Sequence, residues 1–200
     1  YPYLAANVSL HGTKTLPSFP HLLQTKVLQA GTIKVGVIGL STIETPTTTR
    51  PDFVKDLDFT DLAQATQESA KKLRDAGAQL VVLASHVGLN CSTPKAAKGL
   101  RIRRPEDLQG SCQASGEMVK LLSQLRPGTL DGVVSGHTHQ VIHHFLSQGG
   151  QPIPVIQSGH EGKYLHLLYL TYDVIHHRSV PELARIEGPV PVCEKVFAFQ

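Results

Sequence analysis

The sequence predicts an α/β protein with a layered sheet core flanked by helices. Three observations carry this: short β-branched runs of buried-strand length, intervening stretches of helical periodicity, and consecutive strands late in the chain. Thr32 to Leu40, TIKVGVIGL, is the first such run, and it ends in the Ser/Thr-rich loop STIETPTTTRPD. Asp58 or Thr60 is placed to cap a helix whose apolar face is Leu62, Ala65, Ser69, Leu73 and Ala76, with Gly77 as its stop. The next strand, Gln79 to Ala84, runs into Ser85, His86, Val87 and Gly88. His86 is thereby set just beyond the carboxyl end of a strand, where open α/β sheets collect ligands. From Leu89 to Ser115 the chain is polar and irregular, and a loop of this length is functional or an insertion. Helical spacing returns at Met118, Leu121, Leu122 and Leu125 and stops at Pro127 and Gly128. Leu130 to Ser135 reads as a strand delivering GHTH at 136 to 139, and Ile153 to Gln157 and Tyr164 to Tyr172 complete the strands. The tail from Pro181 to Gln200, with Pro189 and Pro191, reads as a linker or the start of another unit more than a core element. There is no internal repeat and no low-complexity tract.

Two hundred residues, 40% of them hydrophobic, suffice for one globular core and exclude a purely disordered chain. No apolar run approaches the ~18 to 20 residues of a membrane-spanning helix, so no transmembrane segment is expected. The net charge of +3 comes largely from Lys95, Lys98, Arg101, Arg103 and Arg104. That cluster is either a solvated loop or a field that steers phosphate-bearing substrates, and charge alone indicates no nucleic-acid polymer as partner. The opening YPYLAANV reads as a short apolar strand without a preceding basic region, not a signal peptide, and the chain reads as cut at its front. Cys91, Cys112 and Cys193 make an odd count. The first two bracket a polar stretch that a disulfide closes in an oxidising compartment, with free thiols or a soft metal site as the alternatives, and Cys193 is left without an evident partner.

Histidine is the unusual component, with 11 residues. In GHTH, His137 and His139 at i and i+2 of an extended segment project to one side, and Gly136 allows the backbone close to an ion. Neutral imidazole suits Zn, Mn, Fe, Co or Ni; a pair of surface histidines in a turn has the same sequence. His86 and GHTH each follow a strand, so all three imidazoles can converge at one sheet edge. Asp131 reads as a turn cap or an acceptor orienting an imidazole. Gln140, Gln157, His160 and Tyr164 sit beside the motifs, as surface positions or pocket lining. The adjacent pairs His143 and His144, and His176 and His177, point to opposite faces of a strand and read as structural or solvated.

SHVG at 85 to 88, DGVVSGHTH at 131 to 139 and PVIQSGHEGKYLHLLYL at 154 to 170, in this order, resemble the calcineurin-like metallophosphoesterases, specifically the 5'-nucleotidase branch. YPYLAANV and KVGVIGLSTIETP are similar to the segments that follow the Asn-His motif there, so the resemblance covers residues 1 to 172. It implies a layered β-sandwich flanked by helices, incomplete at its N-terminus. Residues 1–172 are then the C-terminal part of a catalytic domain, and 173–200 a linker toward a missing C-terminal domain that stacks the nucleobase. It also implies that His86, His137 and His139 are metal ligands, with His86 and His137 on one divalent ion and His139 on a second. A hydroxide activated between the two ions then hydrolyses a small phosphate ester, in the first place a nucleotide. The periplasmic or extracellular location of such proteins favours the Cys91–Cys112 disulfide, which would close the insertion behind His86.

The family's DxH, GDxxD/N and GNH(D/E) motifs are absent from these 200 residues. The remaining ligands and the catalytic histidine are therefore expected upstream of Tyr1, and Asn7, in a strand-like setting, does not replace them. The expectation is a fragment that supplies part of the site and is inactive alone. A non-catalytic remnant binding one metal or a partner, and a relative acting on a non-nucleotide ester, are the alternatives.

Overall fold

The computed structural model describes residues 1–92, 102–107 and 109–192. Lys95, Lys98, Arg101 and Cys193 lie outside the described residues. The strands in chain order are β1 (Tyr3–Leu4), β2 (Val8–Leu10), β3 (Leu22–Leu23), β4 (Thr25–Ala30), β5 (Ile33–Ser41), β6 (Leu57–Phe59), β7 (Leu80–His86) and β8 (Ile102–Arg103). They continue with β9 (Gly132–Val134), β10 (Val141–Gln148), β11 (Gln151–Ser158), β12 (Tyr164–Tyr169), β13 (Tyr172–Asp173), β14 (Arg178–Ser179) and β15 (Arg185–Pro191). The helices are α1 (Thr45–Thr48), α2 (Leu62–Asp75) and α3 (Glu117–Gln124).

The central sheet has six strands in the order β10-β11-β9-β7-β5-β4. Its inner strands β11, β9, β7 and β5 pair in parallel, and β10 and β4 are antiparallel edges. A second, antiparallel sheet has the order β12-β15-β8. The mixed sheets with flanking helices agree with the α/β expectation. The helix caps explain where α2 sits. Asp61, one residue beyond the expected Thr60, accepts the Gln64 N–H on its side chain at 2.7 Å. At the other end Gly77, with φ of 87°, allows the Gly77 and Ala78 N–H groups to return to the carbonyls of Arg74 and Leu73. The helix is thereby held to the length that buries Leu62, Ala65, Ala70 and Leu73.

Alternation along the strands divides the side chains between two cores. Ile38, Leu40, Val81, Leu83, Val133, Ile142 and Val155 join the buried faces of α2 and α3 in the larger one. On the other side of the sheet, Phe145 and Ile156 pack with Ala184, Ile186, Leu168 and Leu170. The tail therefore departs from the sequence reading: residues 185–191 are no linker but β15, the middle strand of the second sheet, with Ile186 fully buried. Its prolines misled because β15 gains its place by pairing with β12 and β8, which are distant in sequence. The region expected to be irregular after Leu89 likewise contains β8, whose Arg103 is buried and donates from Nη2 to Gln109 Oε1 at 3.1 Å. Arg103 is accordingly no part of a solvated cluster, whereas Arg104 is exposed, 4.0 Å from Glu106. The Cys91 and Cys112 sulfurs are joined in a disulfide that closes this insertion. Asn7 is buried and structural: its side chain exchanges hydrogen bonds with the Ser41 N–H and carbonyl at 2.9 and 2.8 Å, fixing the chain's first strands to the end of β5.

His143 and His144 are buried while His176 and His177 are exposed. His143 of β10 stacks on His166 of β12, ring centroids 5.8 Å apart, between the two sheets. His166 Nδ1 meets the Ser158 hydroxyl at 2.9 Å, and His143 Nδ1 and His166 Nε2 have no hydrogen-bond partner among the described residues. Burial, and then the positive charge that His144, His166 and Arg103 would place nearby, pushes the His143 pKa down to about 4. Burial alone pushes that of His166 to about 4. Above pH 6.5 both rings are neutral whether the chain is folded or not. Between 6.5 and 4 only the unfolded chain takes up the protons, so stability falls as the pH falls, by about 1.4 kcal/mol per unit for each ring. Urea denaturation at pH 5 is expected to give a stability lower than at pH 7 by roughly 2 kcal/mol per histidine, and His166→Phe to remove one share. A pH-independent stability in this window would contradict a buried neutral pair.

Candidate metal centre

Three adjacent parallel strands of the central sheet end side by side. In β5 and β7 Ser41 is the partner of His86, and in β7 and β9 Ala84 is the partner of Val134. The residues that follow β5 and β9, together with the last residue of β7, form the rim where a parallel sheet presents ligand-binding groups. His86 closes β7 rather than standing beyond it. Its Nε2 faces His137 Nδ1 at 3.2 Å, with the rings edge to face. On the other side of that ring, His137 Nε2 lies 3.1 Å from Glu44 Oε2.

Glu44 went unnoticed in the sequence. It lies three residues beyond β5, in the loop STIETP, and meets His137 only because β5 and β9 flank β7. The loop is held by Glu117 at the start of α3, which accepts the Thr42 hydroxyl at 2.7 Å and the Ile43 N–H at 2.8 Å. The first turn of α3 is also tied to the loop after His86, since the Met118 N–H reaches the Gly88 carbonyl at 3.1 Å. Both sides of the histidine pair are thus braced by one helix end.

His139 does not join the pair. His137 and His139 both have left-handed backbones, with φ of 74° and 57°, so the segment is a tight turn and the alternation expected of an extended one fails. His139 stacks on exposed His160 instead, centroids 5.1 Å apart. Each such backbone costs of order 1 kcal/mol, and non-glycine residues persist there only where the surroundings hold them. Of the other neighbours named from sequence, Gln140 and Tyr164 are exposed, and Gln157 is 1% exposed, inside the fold rather than on its surface.

Asp131 stands at the opposite end of the sheet from the histidines. Its Oδ2 accepts from Arg74 Nη2 at 2.7 Å and from the Val81 N–H at 2.6 Å, so it neither orients an imidazole nor caps a turn alone. A cleft of about 540 Å³ beside it, lined by Arg74, Gln79, His177 and Arg178, brings no such pair of imidazoles together.

The donor chemistry of the rim suits part of a metal site. Two imidazole nitrogens on one tetrahedral ion at 2.0–2.1 Å lie about 3.3 Å apart, close to the His86–His137 separation. Were His86 and His137 to hold an ion, His137 Nε2 would donate to Glu44, the carboxylate support that ligating histidines commonly have. Burial first, and then the adjacent His137, lowers the His86 pKa, which favours the neutral form that binds metal. Among the described residues no group of three His, Cys, Asp or Glu side chains converges as a metal would require. The fit is that of two ligands, not a complete set.

No family model matches the chain. It is 27% identical to a snake venom 5'-nucleotidase from Naja atra over 86% of this chain and 30% of the relative. The solved structure of a 5'-nucleotidase precursor from Thermus thermophilus superposes with a TM-score of 0.64 at 22% identity, covering 96% of this chain and 34% of that one. That of the calcineurin-like phosphoesterase YfkN from Bacillus subtilis gives 0.62 at 19% identity, over 94% and 56%. The chain spans about a third or less of the length of the curated relatives it matches. Homology points, at low identity, to the calcineurin-like metallophosphoesterase and 5'-nucleotidase superfamily, and the mixed α/β sheets with flanking helices share its fold.

The placement of Asp131 predicts a separation of stability from site geometry. Asp131→Ala removes the carboxylate paired with Arg74, whose guanidinium keeps the Gln79 carbonyl, and leaves the Val81 N–H without its side-chain acceptor; it is expected to lower stability by about 3 kcal/mol in urea denaturation. Nuclear Overhauser contacts between the His86 and His137 rings are expected to persist. Gly88→Ala should do the converse, because a Cβ there would stand 2.4 Å from Thr138 Cγ2 and force the two histidine loops apart. Its expected signature is loss of those ring contacts.

Proposed function

We propose that this chain supplies part of the site of a metal-dependent phosphoesterase of the 5'-nucleotidase kind, which hydrolyses small phosphate esters and in the first place nucleotides. In this reading His86 and His137 hold one divalent ion and His139 reaches toward a second. Zn, Mn, Fe, Co and Ni all suit such ligands. The observation that carries the reading is the approach of His86 Nε2 to His137 Nδ1, 3.2 Å, at the carboxyl ends of neighbouring parallel strands. Low-identity similarity to proteins named 5'-nucleotidases supports it. The ions would supply Lewis-acid stabilisation of a phosphoryl group. The chain's own contribution is to hold the two imidazoles at a fixed spacing, with Glu44 turning His137 and α3 bracing both loops.

The acidic ligands and the catalytic histidine of the reading are not among these 200 residues, and the chain alone is then a partial site. Residues 1–172 would belong to the catalytic domain, whereas β15 draws 185–191 into the same body. The Cys91–Cys112 disulfide supports a location outside the cell or in the periplasm. A second reading, a non-catalytic remnant that binds one ion, is favoured by the convergence of only two ligands among the described residues.

Calorimetric titration of the 200-residue chain with Zn²⁺ is expected to show weak binding near one equivalent, abolished by His86→Ala and by His137→Ala. Hydrolysis of AMP or p-nitrophenyl phosphate by the chain alone should not exceed the buffer rate. In a longer natural polypeptide carrying the DxH and GNH(D/E) motifs, turnover with two bound ions supports the first reading; one ion without turnover supports the second. Zn²⁺ binding untouched by both alanine variants would overturn the assignment of the pair.

A further inference from the structure

The GHTH turn needs something to hold His137 and His139 in left-handed conformations, and its own hydrogen bond, Thr138 N–H to the Gly136 carbonyl at 2.9 Å, is a small part of it. Thr138 points inward between the two histidines and packs against Gly88, where any Cβ would collide with its methyl group. Its hydroxyl donates to the Leu89 carbonyl at 2.7 Å. The same oxygen accepts from Gln157 Nε2 at 3.1 Å, and that amide's second N–H reaches the Gln140 carbonyl at 3.0 Å. Ser135 lies between the Val87 carbonyl, 2.6 Å away, and Gln157 Oε1, 3.2 Å away. One buried amide on β11 thus closes a network between the loop that follows His86 and the loop that carries His137, including residues on both sides of the GHTH turn.

Resting on the reading of these histidines as metal ligands, we infer that Gln157, acting through Thr138 and Ser135, is a positioning residue that sets the His86–His137 spacing and thereby the affinity of the pair for a divalent ion. It touches neither ion nor substrate. Its hydrogen bonds all go to the 135–140 segment, to the Ser135 and Thr138 hydroxyls and the Gln140 carbonyl, and those two hydroxyls carry the link on to the Val87 and Leu89 carbonyls of the loop after His86. The threonine between the histidines has a matching purpose: its hydroxyl is the handle by which the turn is gripped, and its methyl fills the space that Gly88 leaves.

The test uses the 200-residue chain, Co²⁺ as probe, and three variants. Thr138→Val keeps the shape and removes the hydroxyl, Thr138→Ser keeps the hydroxyl, and Gln157→Leu removes the amide. Visible absorption of bound Co²⁺ is expected to report an affinity at least tenfold weaker for Thr138→Val and Gln157→Leu, and within about threefold of the parent for Thr138→Ser. The His86 and His137 ring resonances of the metal-free chain should shift in the first two variants and return toward the parent in the third. If Gln157→Leu fails to fold, the two threonine variants carry the comparison. Folded Thr138→Val with parental Co²⁺ affinity and unchanged ring resonances would overturn the inference. If the parent itself binds no Co²⁺, the metal reading fails, and the inference, which specifies a metal affinity, falls with it; the ring resonances would then still show whether the network sets the spacing. Parental binding with no difference among the variants overturns the inference alone.

Discussion

The register of three parallel strands is the constraint on which the candidate centre depends. Because β5, β7 and β9 run the same way and are paired in step, their carboxyl ends open on one rim. Each residue of strand advances about 3.3 Å, so a slip of two residues would carry His86 more than a ring's width from His137. A slip of one would turn His86 toward α2 and α3 and carry Val81 and Leu83 to the opposite face. The apolar alternation of β7 therefore enforces the site as well as the core: the residues that must face the helices fix which residues cannot.

Buried polar side chains secure that register where hydrophobic contact has no directional preference. Asn7 grips the end of β5, and Asp131 ties the start of β7 to α2. Gln148 pairs with both backbone groups of Leu130 ahead of β9, and Gln157 holds the Thr138 hydroxyl inside the GHTH turn. A buried amide or carboxylate left unmatched costs more than the same group in water, so each has a single acceptable arrangement. These four residues come from four different segments and together fix both ends of the parallel strands.

Much of this was legible in the sequence. The runs VGVIGL and VVLA, the helical spacing of Leu62 to Leu73, and Gly77 mark two buried strands and the helix between them, because their signals are local. What escaped was non-local. Strand β15 looks like a proline-rich tail until β12 and β8 lie beside it. Arg103 looks like part of a basic patch until the second sheet covers it. Glu44 is one polar residue in a loop with six Ser and Thr, and nothing within that loop marks it as facing a histidine 93 positions away. Gln157 was noticed for its place beside a motif and misjudged for its exposure, since a glutamine in a strand is ordinarily at the surface.

The divergence of His137 and His139 shows how a short motif can be found for a reason that does not survive. The i and i+2 spacing suggested two imidazoles projecting together from extended chain. The turn instead separates them, one toward His86 and the other toward His160, and Thr138 occupies the inside of the bend. The spacing matters because it places a gripped residue between two presented ones: a single inward hydroxyl fixes both outward rings, at the cost of two strained backbones.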